Sequence, residues 1–364
     1  MANIVNATLN LWIYAGNFGE RDITKPDYII YKEKISSEDI IVFEVGELVR
    51  DYTDVYFNGD YGTIKQSAWV EWQMIRTYDD DSVDDTLVGV AISFNGYGYF
   101  EDGINPQLSG NVLISNSTIF HNCDDPSLYL PVLAGDDGAT RVIYYDEFGT
   151  VIREESVGED LFKRLTADTT EYTGDTIFLT ADMTWLEGES SELTEELVVP
   201  DGTRRIVLRL ADGSIKTIYV ECIDCSKYNP YKVSFLNKFG VVQDIWFDKK
   251  RIEDIDVTKD TYTKNTLNLL SSGVSYSLNE ASMMPHNIVG NKRLTLNTGY
   301  VTEDHNEVIQ QLLLTEFAWI HEGGNVTPIL PRTSSLTYKT SVNDKLVNFT
   351  VEFDYAFDAI NNIR

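Results

Sequence analysis

Alternating apolar and polar positions dominate the chain and predict a protein built mainly of β-strands. Every second residue from Ala7 to Ile13 is aliphatic, and Val347 to Tyr355 alternates as regularly, as expected for strands buried on one side. Strands are predicted over residues 3–14, 27–33, 39–43, 67–77, 87–99, 139–145, 150–155, 204–210, 215–222, 231–237, 241–248, 251–262, 293–301 and 347–355.

Two segments repeat their apolar residues with the period of a helix instead. The first, about 44–54, carries the stripe Val45, Leu48, Val49 and Tyr52. The second, 303–317, follows Thr302 as a predicted N-cap. Its stripe consists of Val308, Ile309, Leu312, Leu313 and Phe317. The sequence therefore predicts a mainly β fold of tandem β-sandwich or β-barrel modules with two short helices.

One hairpin signature occurs twice in the chain. Residues 143–152 and 234–243 both read as a strand, then Asx-x-Phe-Gly, then a strand, so that Asp146 aligns with Asn237. A second match, 165–169 with 257–261, has nearly the same offset of about 90 residues, which is a normal domain length. The pattern indicates a β-module that is used twice.

Changes in composition suggest where the modules meet. Residues 101–122 are rich in Gly, Asn and Ser and are predicted to form a long junction. We therefore expect an N-terminal β-domain over 1–122, a middle β-module over 123–226 and a C-terminal β-module with one helix over 227–364. If the last strand lies at a sheet edge, it is free to pair with a neighbouring subunit.

The charge of the chain is far from average. The sequence has 58 Asp and Glu against 29 Lys and Arg, for a net charge of −29. Such a surface repels nucleic acid and anionic membranes, because both are bound through Lys and Arg. It serves either solubility or the avoidance of DNA that passes nearby. Without a leader-like or membrane-length apolar run, and with three cysteines, the chain is expected to fold in the reducing cytoplasm of the producing cell.

The best metal candidate joins His121 and Cys123 to Cys222 and Cys225. These are suitable ligands for a structural zinc ion, which takes four N or S ligands in a tetrahedron. The alternative is a packed Cys123 beside an unrelated Cys222/Cys225 pair that is either reduced or forms a disulfide. No other cofactor is predicted.

Acidic residues cluster between two predicted strands, namely Asp79, Asp80, Asp81, Asp84 and Asp85. Carboxylates suit Ca²⁺, but the cluster lacks the Gly and the final Glu of an EF-hand loop, which favours a solvated turn. In an assembly that surrounds DNA, this cluster is the candidate for the face toward the lumen.

Four aromatic residues form two close pairs in the sequence: Trp69 with Trp72, and Tyr97 with Tyr99. Such rings stack on sugars, although core or interface packing is the alternative use. The four histidines match no H-E-x-x-H motif, nucleophile elbow or Ser–His–Asp order, and no Gly-rich phosphate loop is present. We therefore expect a protein that is not an enzyme.

Several runs of the chain resemble virion proteins of tailed phages that infect Bacteroidetes, including crAss-like phages. The runs are 228–240, 295–300 and 340–353, together with 40–55 near the N-terminus. The resemblance implies a structural subunit of the virion: a neck or tail ring, a tail hub or a baseplate component around the DNA channel. It also implies self-association, other virion proteins as partners, and assembly in the host cytoplasm.

Other interpretations remain open at this stage. A host-surface adhesin would use Trp69, Trp72, Tyr97 and Tyr99 to bind glycans, and a capsid decoration protein would share most features of a tail protein. A depolymerase with paired carboxylates is the enzymatic alternative, although no pair stands out among the acidic residues.

Overall fold

The structure is a computed structural model. It describes residues 3–15, 24–35, 40–53, 55–59, 61, 67–106, 112–122, 127–131, 139–156, 162–163, 177–180, 184–187, 189–190, 194–198, 200–210, 212–223, 227–333 and 346–359. This part of the chain is mainly β, with several sheets and two helices, which confirms the predicted β-sandwich class.

The elements follow one another in three blocks. The first contains β1 (Ile4–Tyr14), β2 (Tyr28–Glu33), β3 (Ile41–Glu44), α1 (Gly46–Arg50), β4 (Ser67–Tyr78), β5 (Val83–Phe94) and β6 (Thr118–Asn122). The second contains β7 (Ser127–Pro131), β8 (Ala139–Tyr145), β9 (Val151–Ser156), β10 (Phe162–Lys163), β11 (Ile177–Thr180), β12 (Thr184–Glu187), β13 (Glu189–Ser190), β14 (Thr194–Val198), β15 (Arg205–Leu210) and β16 (Ile215–Ile223). The third contains β17 (Tyr231–Leu236), β18 (Val242–Phe247), β19 (Ile252–Thr263), β20 (Leu267–Leu270), β21 (Gly273–Tyr276), β22 (Met283–Asn297), β23 (Val301–Thr302), α2 (His305–Leu314), β24 (Ala318–Glu322), β25 (Asn325–Pro331), β26 (Leu346–Val347) and β27 (Thr350–Asp358).

The first sheet has the order β12-β5-β4-β1-β2 and is antiparallel throughout. The alternation predicted for β1 is confirmed, because Ala7, Leu9, Leu11 and Ile13 are buried. The stripe of α1 packs against the same core, in which Val49 is fully buried. β5 begins four positions earlier than predicted, at Val83.

Strand pairing crosses between the first two blocks. β11 pairs in parallel with β3, and β12 pairs with the edge of β5. In the other direction, β6 pairs in parallel with β16 and completes the middle sheet, whose order is β6-β16-β15-β8-β9. Ile206, Leu208 and Leu210 are buried on one face of β15, as their alternation predicts.

The third sheet has seven strands in the order β18-β17-β24-β25-β27-β22-β19. Its core includes the helical residues Val308, Ile309 and Leu312, with Leu313 packed against it, which confirms this part of the predicted stripe. α2 ends at Leu314, so Phe317, the last residue of the predicted stripe, lies beyond the helix and packs against another cluster. The predicted N-cap is wrong: Asp304 occupies that position, and the hydroxyl group of Thr302 donates to its carboxylate.

The last long strand does not lie at the edge of this sheet. β27 runs between β25 and β22, so pairing on both sides already uses its backbone. The two edge strands in the described part of the sheet are β18 and β19.

The two copies of the hairpin signature form the same turn. In each, the Asx side-chain oxygen accepts from the backbone N–H groups two and four positions later, at 2.9 and 2.7 Å for Asp146 and 3.0 and 3.4 Å for Asn237. Gly149 and Gly240 take the same left-handed conformation, with φ of 80° and 78°, which glycine adopts without strain. The second predicted match involves residues 165–169, which lie outside the described residues.

The surroundings of the two turns differ completely. The first turn is exposed, and the side chain of Phe148 is 84% exposed at its tip. The second is buried, and Phe239 packs in a core cluster that also holds Trp69 and Leu113. The amide of Asn237 donates to the carbonyl oxygen of Leu113 at 2.7 Å, and so holds the segment before β6 against the third block.

Candidate assembly surface

A long hairpin extends from the edge of the seven-stranded sheet. β22 pairs with β27 only from Asn291 to Asn297, whereas its pairing with β19 continues outward to Met283. We call residues 257–289 the arm, because beyond Gly290 the two strands of the hairpin have only each other as described partners. Every residue of the arm is exposed except Thr266, Ser275 and Val289, which are half-buried.

The hairpin continues to the end of the arm through internal contacts. Lys264 N–H donates to the carbonyl oxygen of Ser282 at 2.7 Å, and β20 pairs with β21 beyond that point. Closer to the sheet, the register shifts between Thr258 and Asp260, and Asn287 on the other strand has a φ of 48°. Such an irregularity bends and twists a hairpin, and therefore sets the direction of the arm.

The arm carries large apolar side chains that no other described part of the chain covers. Those exposed by 37% or more are Val257, Tyr262, Leu267, Leu269, Leu270, Val274, Tyr276, Leu278, Met283, Met284 and Ile288. Contiguous apolar surface of this kind marks sites of interaction, whereas single exposed apolar residues are ordinary. A two-stranded hairpin on its own is also only marginally stable in water. The arm therefore has the properties of a surface that a partner covers.

The outer part of the arm is almost uncharged. We call residues 264–284 the tip; its only charged residues are Lys264 and Glu280, in a chain with a net charge of −29. At the base, by contrast, Arg293 forms ion pairs with Asp256 and Asp354. Charged residues are thus concentrated at the base, whereas the tip has only one residue of each sign and no net charge.

The residues of the predicted zinc site are described only in part. His121 on β6 and Cys222 on β16 are directly opposite each other in the parallel pairing, and His121 is buried. Cys222 is disulfide-bonded, and a disulfide sulfur cannot act as the thiolate ligand that zinc takes. Cys123 and Cys225 lie outside the described residues. The zinc site stays a prediction, and it applies to the reduced chain.

Asp79, Asp80 and Asp81 form the turn between β4 and β5, and Asp84 and Asp85 lie at the start of β5. The carboxylates bind groups in this turn or on neighbouring strands. Asp80 accepts from the N–H group of Ser82 at 3.0 Å, and hydrogen bonds from the hydroxyl and N–H groups of Ser82 lower its pKa. Asp79 accepts from Asn3, and Asp84 pairs with Arg76. No group of three or more possible metal ligands occurs in the part of the chain that the structure describes.

The remaining acidic residues fit this description of a turn. Asp81 adopts a φ of 64°, which the tight turn requires, and Asp85 is exposed. The solvated acidic turn is therefore what the structure shows, and its orientation toward a lumen remains a prediction.

The four aromatic residues do not assemble into one stacking platform. Trp69 and Trp72 are three positions apart on β4 and so point to opposite faces of the sheet. Trp69 is only 2% exposed in a core cluster, and the ring of Trp72 lies against Gly89 of the next strand. Tyr97 and Tyr99 form a half-buried edge-to-face pair, with ring centroids 5.8 Å apart. As placed here, Trp69 cannot present a face to a glycan.

One polar cluster was not predicted from the sequence. The hydroxyl oxygen of Ser234 lies 2.7 Å from Nε2 of His321 and 2.5 Å from the carboxylate of Asp244, to which Tyr61 also donates at 2.6 Å. Ser234 is fully buried, so a substrate cannot reach its hydroxyl group. Burial and the neighbouring Asp244 raise the pKa of Tyr61 and keep it a neutral donor. The cluster is a buried hydrogen-bond network that joins Tyr61 to β17, β18 and β24.

The predicted hairpin of 231–237 and 241–248 places Ser234 opposite Asp244, as the structure shows. No sequence signal could have added Tyr61 and His321, because they are far from this hairpin in the chain. No helix among the described residues is both long and apolar enough to cross a membrane. Compared with known proteins, the chain matches no family model, and no curated protein sequence matches it.

Proposed function

We propose that the chain is a structural subunit of a tailed-phage virion: a neck or tail ring, tail hub or baseplate component without catalytic activity. In this proposal, copies of the chain assemble symmetrically around the DNA channel and contact other virion proteins. The arm is the observation that carries the proposal. In a subunit of a larger assembly, apolar side chains that lie outside its own core can be buried against another subunit.

The physical argument concerns the apolar area of the arm. Burying a Leu or Met side chain that is otherwise exposed is worth about 1.5–3 kcal/mol, so leaving so many of them in water is unfavourable for a monomer. Interfaces of standard size bury about 800 Å² on each partner, from about 20–30 residues. An exposed arm that runs from residue 257 to 289 is long enough to supply one such interface.

The acidic surface supports the location around DNA. Proteins bind DNA by neutralising phosphates with Lys and Arg, and a chain with a net charge of −29 does the opposite. A channel lined by such a surface lets DNA slide without adhering. The turn from Asp79 to Asp85 is the proposed lumen-facing element, and replacing its carboxylates with amides is expected to slow DNA ejection from the particle.

The placement of the aromatic residues favours this proposal over the glycan-binding alternative. A stacking platform needs aromatic faces that are open to solvent on one surface, whereas Trp69 and Trp72 lie on opposite faces of a sheet and Trp69 is buried. A capsid decoration protein would share the same exposed arm and acidic surface.

Native mass spectrometry of the purified full-length chain, with negative-stain electron microscopy of the same sample, tests the proposal. We expect closed oligomers of one fixed copy number and a ring-shaped outline. A chain that stays monomeric up to concentrations of about 100 μM, where even weak homo-oligomers form, would contradict it. The same spectra give the mass of bound metal, and an increment of one zinc per reduced chain would establish the predicted site.

A further inference from the structure

We infer that the tip, residues 264–284, docks onto a second copy of the same chain. This inference rests on the proposed function, because it names the surface through which copies of the subunit associate. The arm as a whole is exposed, and within it the tip combines a continuous apolar face with a net charge of zero.

The strand pairing places the apolar residues of the tip on one face. Leu267 is paired with Tyr276, and Leu269 with Val274. Cross-strand partners share a face of the sheet, and so do residues two positions apart on one strand. These four side chains therefore form one surface, and they are between 59% and 87% exposed.

The opposite face of the same two strands is more polar. Asn268 is paired with Ser275 there, and Leu270 with Gly273, which has no side chain. A hairpin with one apolar and one more polar face has the pattern of a strand pair that packs on one side only. Within the described residues no other element covers the apolar side, which leaves it open to a second molecule.

The charge of the chain and of its tip indicates which molecule covers the apolar face. Two copies that each carry a net charge of −29 repel one another wherever acidic surfaces meet. The tip contributes one positive and one negative residue, so this repulsion is smallest where tips are in contact. A basic partner would gain most on the acidic surfaces elsewhere, and nucleic acid would find only Lys264 to bind. A second copy of the chain is the partner that this neutral apolar surface fits best.

Other exposed apolar residues do not share this pattern. Ile29 and Tyr31 are exposed on β2, but Lys32 and Glu33 follow them directly. Phe148 is exposed by 84%, but it follows Asp146 and Glu147 in its turn. At both places charged groups surround the apolar side chains and would have to lose water on contact with a second acidic chain.

The test compares two double variants of the full-length chain. The first, Leu269→Asp with Val274→Asp, adds two charges to the apolar face. The matched control, Asn268→Asp with Ser275→Asp, adds the same two charges to the opposite face, one residue away on each strand. All four side chains lie in the exposed hairpin, and far-ultraviolet circular dichroism with a thermal melt checks that each variant folds like the wild type.

Sedimentation velocity over a concentration series gives the midpoint of association for each protein. We expect the wild type and the control to assemble alike, and the apolar-face variant to need about 100-fold higher concentration, because two apolar contacts are lost. If the apolar-face variant assembles like the wild type, this inference is wrong while the proposed function stands. If the wild type remains a monomer throughout, both fail, and flotation with neutral phosphatidylcholine vesicles then shows whether a lipid surface is the true occupant.

Discussion

Asn237→Asp tests how the buried copy of the repeated turn holds the third block to the rest of the chain. The substitution keeps the size and shape of the side chain and restores the residue type that Asp146 has in the exposed copy. The oxygen that accepts from the turn is retained. The amide group that donates to Leu113 O at 2.7 Å and to Gln243 Oε1 at 3.1 Å is replaced by a second acceptor.

The expected cost follows from those two lost donors. Asn237 is fully buried, so both of its acceptors face a carboxylate without a proton or a water molecule between them. An unsatisfied buried polar group costs about 1–3 kcal/mol, so the variant should lose about 2–6 kcal/mol of stability at pH 7. Burial raises the pKa of the new carboxyl group above its value in the unfolded chain. The destabilisation is therefore smallest below about pH 4 and grows as the pH rises.

Urea denaturation followed by tryptophan fluorescence measures the free energy of unfolding, and Asp146→Asn is the matched control within the same chain. Asp146 is half-buried at the start of an exposed turn, and Asn satisfies the same turn hydrogen bonds, so the control should change stability by less than about 0.5 kcal/mol. If the two substitutions changed the free energy of unfolding equally, or if Asn237→Asp left it unchanged, the argument would be refuted. The buried amide of Asn237 would then not stabilise the fold through its hydrogen bonds.

Further expectations concern other described contacts, each measured by urea or thermal unfolding. Gly149→Ala should lower the free energy of unfolding by about 1–2 kcal/mol, because residue 149 has a left-handed backbone conformation. Gly240→Ala should lower it clearly more, because the new Cβ would also lie 2.7 Å from a backbone nitrogen. Equal losses would contradict this expectation. Tyr61→Phe should cost about 1.5–3 kcal/mol, since it removes a donor from the carboxylate of Asp244, and a cost below 0.5 kcal/mol would speak against that bond. Burial alone would raise the pKa of Asp304, but hydrogen bonds from His305, Thr302 and Ser117 outweigh it and lower the pKa. That stabilisation is present above about pH 4 and is lost as the pH falls, so Asp304→Asn should flatten the loss of stability in acid.

The sequence predicted the strands well where one face of the strand is buried by the chain itself. β1, β15 and β27 alternate because a core lies on one side, and their buried positions are those that the alternation selects. The sequence left open the position of the last strand in its sheet, because the neighbouring strands are distant in sequence. β27 lies between β25 and β22, and the periodicity within a strand contains no information about its neighbours.

The candidate assembly surface was predicted only in part. A strand over 251–262 was expected and is present as β19, but the hairpin tip formed by β20 and β21 was not. Its alternation, Leu267-Asn-Leu269 and Val274-Ser-Tyr276, is the signal that was available. That signal gives the residues that share a face. It cannot tell whether the face is covered within the chain, because coverage is a property of the assembled structure.

The repeated turn shows the same limit inside a single chain, since nearly the same local sequence buries one phenylalanine and exposes the other. Whether an apolar side chain is buried depends on the surface that packs against it, and bringing two acidic chains together costs electrostatic free energy. The arm lowers this cost. Ten extended residues span about 33 Å, whereas the screening length at physiological salt is about 8 Å. In the proposed assembly, a neutral tip at the end of such an arm makes contact where the charge of the acidic body is already screened. The proposal therefore gives a role to the length of the hairpin as well as to its apolar face.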